Sequence, residues 1–321
     1  MTNKTNLEIY IGIDVSENSL DVHILPEGKK FRVNNNEKGH QKLIKCLENT
    51  SPEIIVMEGT GGLEKLAAAH LVQAKLPVAI VNPRQVRDFA KAMGILAKTD
   101  EIDAQVIAHF AETIKPEQRI VPDEDLIKLD EMVARRRQLT KMRLAESNRF
   151  RRAYSTAVKA SIESILELID AQLKDINKQI KTFIKSSPIW RDKDELLQSV
   201  SGIGPNVSSV IIAGLPELGK ANRRQIASLV GLAPYNDDSG KRYGRRSIKG
   251  GRSNVRKALY MATVVAIRWN PAIREHYFHL KSEGKKSKVA IVACMRKLLI
   301  TINAMAKTNS HWINQKELKV A

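Results

Sequence analysis

The sequence predicts three parts: an α/β domain over residues 1–125, a long helical connector over 126–190 and a mainly helical domain over 191–321. Three observations carry this. Extended apolar runs alternate with helix-period segments as far as about residue 110. From about Leu126 to Ile184 there is almost no Gly or Pro. The charge also changes sign: residues 1–125 hold 15 Lys+Arg against 19 Asp+Glu, whereas residues 126–321 hold 38 against 16.

Ile9–Val15 and Leu20–Leu25 read as paired strands, with a third at Lys30–Asn34. A helix follows over Lys38–Leu47, then a buried strand at Ile54–Met57, a helix at Leu63–Ala74 and a strand at Val78–Val81. The next helix starts at Pro83, which suits a first turn, and ends at Met93, before the stop signal Gly94. Thr99 supplies an N-cap for a further helix through Phe110. In the connector, Val158, Ile162, Ile165, Ile169, Leu173, Ile176, Ile180 and Phe183 recur at steps of three and four. That is the seam of a long helical hairpin or coiled coil, broken at Ser186-Ser187-Pro188, and it serves either as a packing helix or as a dimerisation arm. Within Leu197–Leu218, Ser201-Gly202-Ile203-Gly204-Pro205 resembles a helix-hairpin-helix. There, Gly202 and Gly204 either let backbone N–H groups reach a phosphate or simply make a tight turn.

Composition narrows the function. At 321 residues and 43% hydrophobic content the chain builds a sizeable core. No stretch approaches the ~20 apolar residues of a membrane span, and Met1–Glu8 is polar, so a cytoplasmic, nucleoid-associated protein with no membrane partner is expected. Cys46 and Cys294 lie far apart without metal-ligand spacing, which points to neither a disulfide framework nor a zinc module. A net charge of +22 over residues 126–321 is a field that concentrates polyanions and makes nucleic-acid affinity salt-dependent.

Four acids carry chemistry. Asp14 lies within the strand Ile11-Gly12-Ile13-Asp14-Val15, and Glu58 ends Ile54-Ile55-Val56-Met57-Glu58. A carboxylate in such a setting is costly unless something pairs it. Asp100 and Asp103, three apart at a helix start, share a face. Converging acids repel unless a cation neutralises them, and hard oxygen ligands suit Mg²⁺ or Mn²⁺, whose ions can position the attacking and leaving oxygens of a phosphoryl transfer. The pattern resembles the ribonuclease-H-like (RuvC-like) fold of Holliday-junction resolvases, with its Asp, Glu, Asp, Asp metal site. The opening strand also resembles the sugar-kinase and actin-like ATPases, for which Thr60-Gly61-Gly62 would be the phosphate loop.

Towards the C-terminus, Gly240 to Arg256 contains Lys241, Arg242, Arg245, Arg246, Lys249, Arg252 and Arg256 and no acid, the composition of a phosphate-binding stretch. Ser239 stands at its edge, a hydroxyl beside cations able to stabilise developing phosphorane charge, although Ser247 and Ser253 share the region.

Asp14, Glu58-Gly59-Thr60-Gly61, Asn82-Pro83, Lys98-Thr99-Asp100 with Asp103-Ala104, the Ser201–Pro205 hairpin, Gly231-Leu232-Ala233-Pro234, Ser239-Gly240 and Leu259-Tyr260-Met261 come in one order. That order resembles the insertion-sequence transposases with an N-terminal DEDD domain and a C-terminal serine-bearing domain, the group that includes the Piv-type invertases. The resemblance implies that Asp14, Glu58, Asp100 and Asp103 bind Mg²⁺ and that Ser239 forms a covalent phosphoserine with DNA. It also implies a structured guide (bridge) RNA pairing with donor and target DNA, and a homodimer that forms a tetrameric synapse. Two rival expectations are a junction nuclease using metal-activated water, and a non-catalytic protein that organises nucleic acid.

Overall fold

The structure is a computed structural model describing residues 8–48, 50–95, 100–118, 121–235 and 247–312, with residues 100 and 101 described in their backbone alone. The chain forms two compact units, 1–127 and 128–321.

In the first unit the strands are β1 (Tyr10–Val15), β2 (Ser19–Leu25), β3 (Lys29–Asn34), β4 (Ile54–Glu58) and β5 (Val78–Val81). The helices are α1 (Glu37–Leu47), α2 (Glu64–Gln73), α3 (Pro83–Ala92) and α4 (Asp100–Ile114). The sheet order is β3-β2-β1-β4-β5. β1, β2 and β3 pair antiparallel through short turns, whereas β1–β4 and β4–β5 pair parallel, with α1 and α2 as the crossovers that parallel pairing demands.

Side-chain alternation divides the core. Ile11, Ile13, Val15, Leu20, Val22, Ile24, Ile55 and Met57 face Leu43 and Leu47 of α1 and Ala67, Ala68 and Leu71 of α2. Tyr10, Ile54, Val56, Ala79 and Val81 face Val86 of α3 and Val106, Ile107, Phe110 and Ala111 of α4. β1 and β4 are covered on both faces and therefore read as continuous apolar runs rather than alternating ones. A mixed five-stranded sheet of this order, with helices on both sides, is consistent with a ribonuclease-H-like fold.

The second unit is helical. It contains most of α5 (Glu124–Arg152), then α6 (Thr156–Ser186), α7 (Pro188–Gln198), α8 (Pro205–Gly214), α9 (Arg223–Val230), α10 (Ser253–Trp269), α11 (Pro271–Ser282) and α12 (Ser287–Thr308). A two-stranded ladder joins β6 (Pro234–Tyr235) to β7 (Ser247–Ile248). α5 and α6 are separate helices: residues 153–155 interrupt them although no Gly or Pro is there, and Ser155 takes the extended N-cap conformation. Arg143 donates to both oxygens of Asp170 (2.5 and 3.1 Å), and Arg135 Nη2 donates to Gln172 Oε1 at 3.4 Å, so long side chains tie the two helices.

The buried line of α6 differs in part from the predicted seam. Ile162, Ile169, Ile180 and Ile184 are buried and Leu166 is half-buried, while Val158 and Ile165 are 50% and 43% exposed. A straight helix of 3.6 residues per turn drifts off any fixed step pattern over 31 residues. α12 is the one described helix long and apolar enough to cross a membrane. Here it is the core helix, burying Cys294, Met295, Leu298, Leu299 and Ile302 against α7, α9, α10 and α11.

Candidate active site

The acids of the first unit gather at one end of its sheet. The register of β1 with β4 runs Tyr10↔Ile54 to Ile13↔Met57, so Asp14 and Glu58 occupy the next step, side by side where both strands end. Both belong to the face that carries Tyr10, Val56 and α4. α4 runs antiparallel to β1. Near its C-terminal end, Lys115 pairs with Glu8 at 2.7 Å and stacks on Tyr10, at the start of β1. Its N-terminal turn, holding Asp100 and Asp103, therefore lies at the Asp14 end.

Gly12 permits this. A Cβ there would sit 2.8 Å from the carbonyl carbon of Ile107 and well inside contact distance of Ala104 O and Ala108 N. The helix backbone rests directly on the strand, and only a residue without a side chain fits between. Asp14, Glu58 and Asp103 are all half-buried, and each makes a polar or ionic interaction. Among the described residues no three Asp, Glu, His or Cys side chains are clustered as a metal-holding group. Three described carboxylates at one sheet end nonetheless supply the hard oxygen donors that Mg²⁺ prefers.

Glu64 is a residue that sequence reasoning missed. Its Oε2 accepts from Thr60 N (3.1 Å), Thr60 Oγ1 (2.8 Å) and Gly62 N (2.9 Å), and the residue is 6% exposed. The backbone donors with which a phosphate loop would hold a nucleotide are thus occupied by the chain's own carboxylate. The turn after Glu58 positions that acid, and the ATPase resemblance loses its loop. Asn82-Pro83 is likewise local: Asn82 Oδ1 accepts from Arg84 N as the N-cap of α3, with Pro83 in the first turn.

Asp21 and His23 were also missed. Asp21 pairs with Asp14 across β1–β2 and with Arg32 across β2–β3. It is 7% exposed and accepts from Arg32 Nε at 2.7 Å. Their signal is the pattern Leu20-Asp21-Val22-His23-Ile24, in which polar residues alternate into a strand that is covered on both faces.

In the second unit, the turn before α8 separates the two glycines. Gly202 has φ +109°, and a Cβ there would lie 2.7 Å from Ala262 O, so it is needed for packing on α10. Gly204 is exposed, and a Cβ there would meet nothing within 4 Å, so its surroundings are open. The turn is braced from below by Arg136 of α5, which is 8% exposed. Arg136 donates to Asn206 Oδ1 (3.1 Å), Asn206 O (3.1 Å) and Ser209 Oγ (3.0 Å). These are neutral acceptors, and burial pushes the guanidinium pKa down.

The basic stretch is similarly divided. Arg252 forms a bidentate pair with Glu217 (2.5 and 2.6 Å) and also bonds Gly214 O. Arg256 Nη1 donates to Val230 O at 2.9 Å and to Gly250 O at 2.5 Å. Both side chains hold the fold together, while Lys249 is exposed with its ammonium 5.5 Å from the Tyr235 ring centroid. Ser239, Lys241, Arg242, Arg245 and Arg246 lie outside the described residues, in the segment that leaves β6 and returns at β7. Of the rival hydroxyls, Ser247 lies in β7 and Ser253 begins α10, and both residues are exposed.

Sheet order and acid placement are consistent with a ribonuclease-H-like α/β domain, which a basic helical unit follows. A DEDD-type IS110 family model, described as a transposase, matches residues 11–157, and the model of the transposase IS116/IS110/IS902 family matches residues 194–278. The chain is 27% identical over 310 residues to the pilin gene-inverting proteins of Moraxella bovis and Moraxella lacunata, covering 94% of this chain and 96% of each of those proteins. It is 22% identical over 154 residues to the insertion element IS110 uncharacterized 43.6 kDa protein of Streptomyces coelicolor, covering 47% of this chain and 37% of that protein. The chain belongs to the IS110/IS116/IS902 family of transposases. It is an enzyme of the transposase and invertase kind, which cleaves and rejoins DNA.

Proposed function

We propose that this chain performs RNA-guided DNA strand exchange through a phosphoserine intermediate, with Ser239 as the nucleophile and a RuvC-like metal site at Asp14, Glu58, Asp100 and Asp103. The observation that supports it best is the placement of Asp14, Glu58 and the start of α4 at one end of the sheet. The family membership and the similarity to pilin gene-inverting proteins favour recombination over simple hydrolysis. Mg²⁺ or Mn²⁺ held by these acids supplies charge neutralisation for oxygens gaining negative charge in phosphoryl transfer.

The Ser239 hydroxyl loses its proton as Oγ bonds to phosphorus, and the P–O bond to one flanking nucleotide breaks, its oxygen leaving as a hydroxyl. A hydroxyl of the incoming strand then attacks the same phosphorus and Ser239 is restored. The phosphodiester energy is conserved in the serine ester, so no nucleotide cofactor is consumed. Lys241, Arg242, Arg245, Arg246 and Lys249 contact phosphates around the reacting one, with Arg252 and Arg256 bracing the segment, and the turn at Gly202 and Gly204 presents backbone to nucleic acid. A structured guide RNA pairing with donor and target DNA delegates sequence reading to base pairing, which leaves the basic half to hold backbones. α5 and α6 form the arm of a homodimer that assembles into a tetrameric synapse in the bacterial cytoplasm.

The test is denaturing electrophoresis of labelled DNA with the full chain, Mg²⁺ and guide RNA, followed by peptide mapping. An adduct at Ser239, absent in Ser239→Ala, is the expected result. Cleavage with no adduct would establish water as the nucleophile, and strand exchange by Ser239→Ala would overturn the assignment.

A further inference from the structure

Across the sheet, one row of residues runs Glu58, Asp14, Asp21, Arg32 over four neighbouring strands. The row behind it runs Val56, Gly12, His23, Lys30. Both rows lie on the α4 side. β3 is the sheet edge, and its alternation Lys29-Lys30-Phe31-Arg32-Val33 sends Phe31 and Val33 to the α1–α2 core and Lys30 and Arg32 to the side of the acids. The acids and these two cations thus share one surface of a unit whose overall charge is negative.

A cavity of about 250 Å³ opens there, lined by Asp21, His23, Lys30, Arg32 and Ala104 of α4 among others. The Asp21 carboxylate takes the Nε of Arg32 at 2.7 Å, so the guanidinium is held in place rather than left to swing. Lys30 is exposed. Asp21 offsets Arg32, so Lys30 is the second cation among the lining residues, on a surface whose other acids, Asp14 and Glu58, lie one and two strands beyond Asp21. His23 forms part of its wall, is 3% exposed, and has an Nδ1 that is buried without a hydrogen-bond partner. Buried polar atoms without partners are rare, and this one belongs to a residue that lines the cavity. Burial first, then the neighbouring Lys30 and His109, holds the imidazole below its usual pKa. It therefore acts as a neutral group with a single N–H to offer.

We propose that this cavity is a phosphodiester subsite of the N-terminal unit: it seats a backbone phosphate of the DNA strand close to the one at Asp14 and Glu58. Strands β1 and β3, two apart in the sheet, are about 10 Å apart at the usual strand spacing, which places Lys30 and Arg32 beside, not on, the reacting phosphate. The occupant is a polyanionic strand rather than a small anion because the cavity lies open on the same surface as the acids. The subsite lets a unit of net negative charge hold DNA against its carboxylates. This inference rests on the proposed placement of DNA at those acids.

The test uses the full chain without divalent metal and reads binding, so it is independent of the serine chemistry. Anisotropy of a labelled DNA duplex is followed against salt for the wild type, Lys30→Gln and, as a charge-matched control on α1, Lys38→Gln. A lost phosphate contact lowers the slope of log affinity against log salt by about 0.9 for a duplex. The expected result is that loss for Lys30→Gln alone, together with no further loss when a single methylphosphonate replaces the phosphate that Lys30 contacts. Equal slopes for wild type and Lys30→Gln would overturn the subsite. So would inorganic phosphate protecting Lys30 from acylation while duplex affinity ignores the substitution, since that outcome is a small-anion site only. A change at Lys30 with no adduct at Ser239 would leave the subsite standing and remove the nucleophile, so the two failures are distinct.

Discussion

Gly12 of β1 lies directly beneath Ala104 of α4, so closely that no side chain fits between them. This contact brings the first turn of α4, with Asp100 and Asp103, to the end of the strand that carries Asp14. Gly12→Ala would force helix and strand apart, at a cost of about 1–3 kcal/mol of stability for overpacking. Cleavage should fall by more than stability alone explains, because the two halves of the carboxylate set separate. Thermal melts and cleavage assays on the same preparation check this. Unchanged cleavage in a folded Gly12→Ala protein would show that the helix–strand spacing does not matter to the chemistry.

Asp14→Asn, Glu58→Gln and Asp103→Asn should each abolish strand cleavage and leave nucleic-acid binding within about twofold, since the large positive charge lies in the other unit. Asp100→Asn is expected to be milder, as one of two neighbouring acids often orients rather than ligates. Parallel cleavage and filter-binding measurements decide it. Near-normal cleavage in Mg²⁺ removes the substituted residue from the metal site.

The Arg252–Glu217 pair makes the basic stretch heterogeneous. The side chains are 35% and 11% exposed, so Arg252→Ala strands a mostly buried carboxylate and should cost about 1–3 kcal/mol. The salt slope of DNA binding should barely change. Charge-neutral substitutions at Arg245, Arg246 and Lys249 should instead flatten that slope while leaving the melting temperature nearly constant. If Arg252→Ala flattened the slope at unchanged stability, its guanidinium would belong to DNA rather than to Glu217.

A pair of histidines, His40 buried and His70 half-buried, ties α1 to α2. His40 Nε2 bonds Asn35 Oδ1 at 2.9 Å, its Nδ1 lies 3.0 Å from His70 Nδ1, and His70 Nε2 lies 3.5 Å from Glu124. Burial first and His70 second push the His40 pKa down to about 4. Above about pH 6.5 His40 is neutral folded or unfolded and costs nothing. As pH falls from there, the unfolded chain takes up a proton that the folded one refuses until about 4, so stability declines through that window by up to about 3 kcal/mol. Urea midpoints at pH 7 and pH 5 should differ in the wild type and differ less in His40→Gln. Equal pH dependence in the two proteins would clear His40 of this role.

Much of this molecule is legible in sequence because its signals are local. Strand and helix positions in the first unit follow from period-2 and period-3.6 patterns, which report core against solvent one element at a time, and Asp14 and Glu58 are conspicuous because they interrupt or end apolar strands. The break at residues 153–155 was not legible: no Gly or Pro marks it. Ser239 was singled out from chemistry and resemblance, and it lies outside the described residues.

Sequence alone therefore determined the elements of the first unit, the residue types available for chemistry and the division of charge between the halves. Only the tertiary structure decided which polar groups are already occupied. Glu64 fills the turn that passed for a phosphate loop, Glu217 and the Val230 and Gly250 carbonyls take Arg252 and Arg256 out of a uniform cationic stretch, and α10 claims Gly202. A residue's periodicity states whether it is buried, but the partner of its hydrogen bonds is set by distances across the fold. The pairs Arg252–Glu217 and Arg136–Ser209 are 35 and 73 residues apart in the chain, and no local pattern records them.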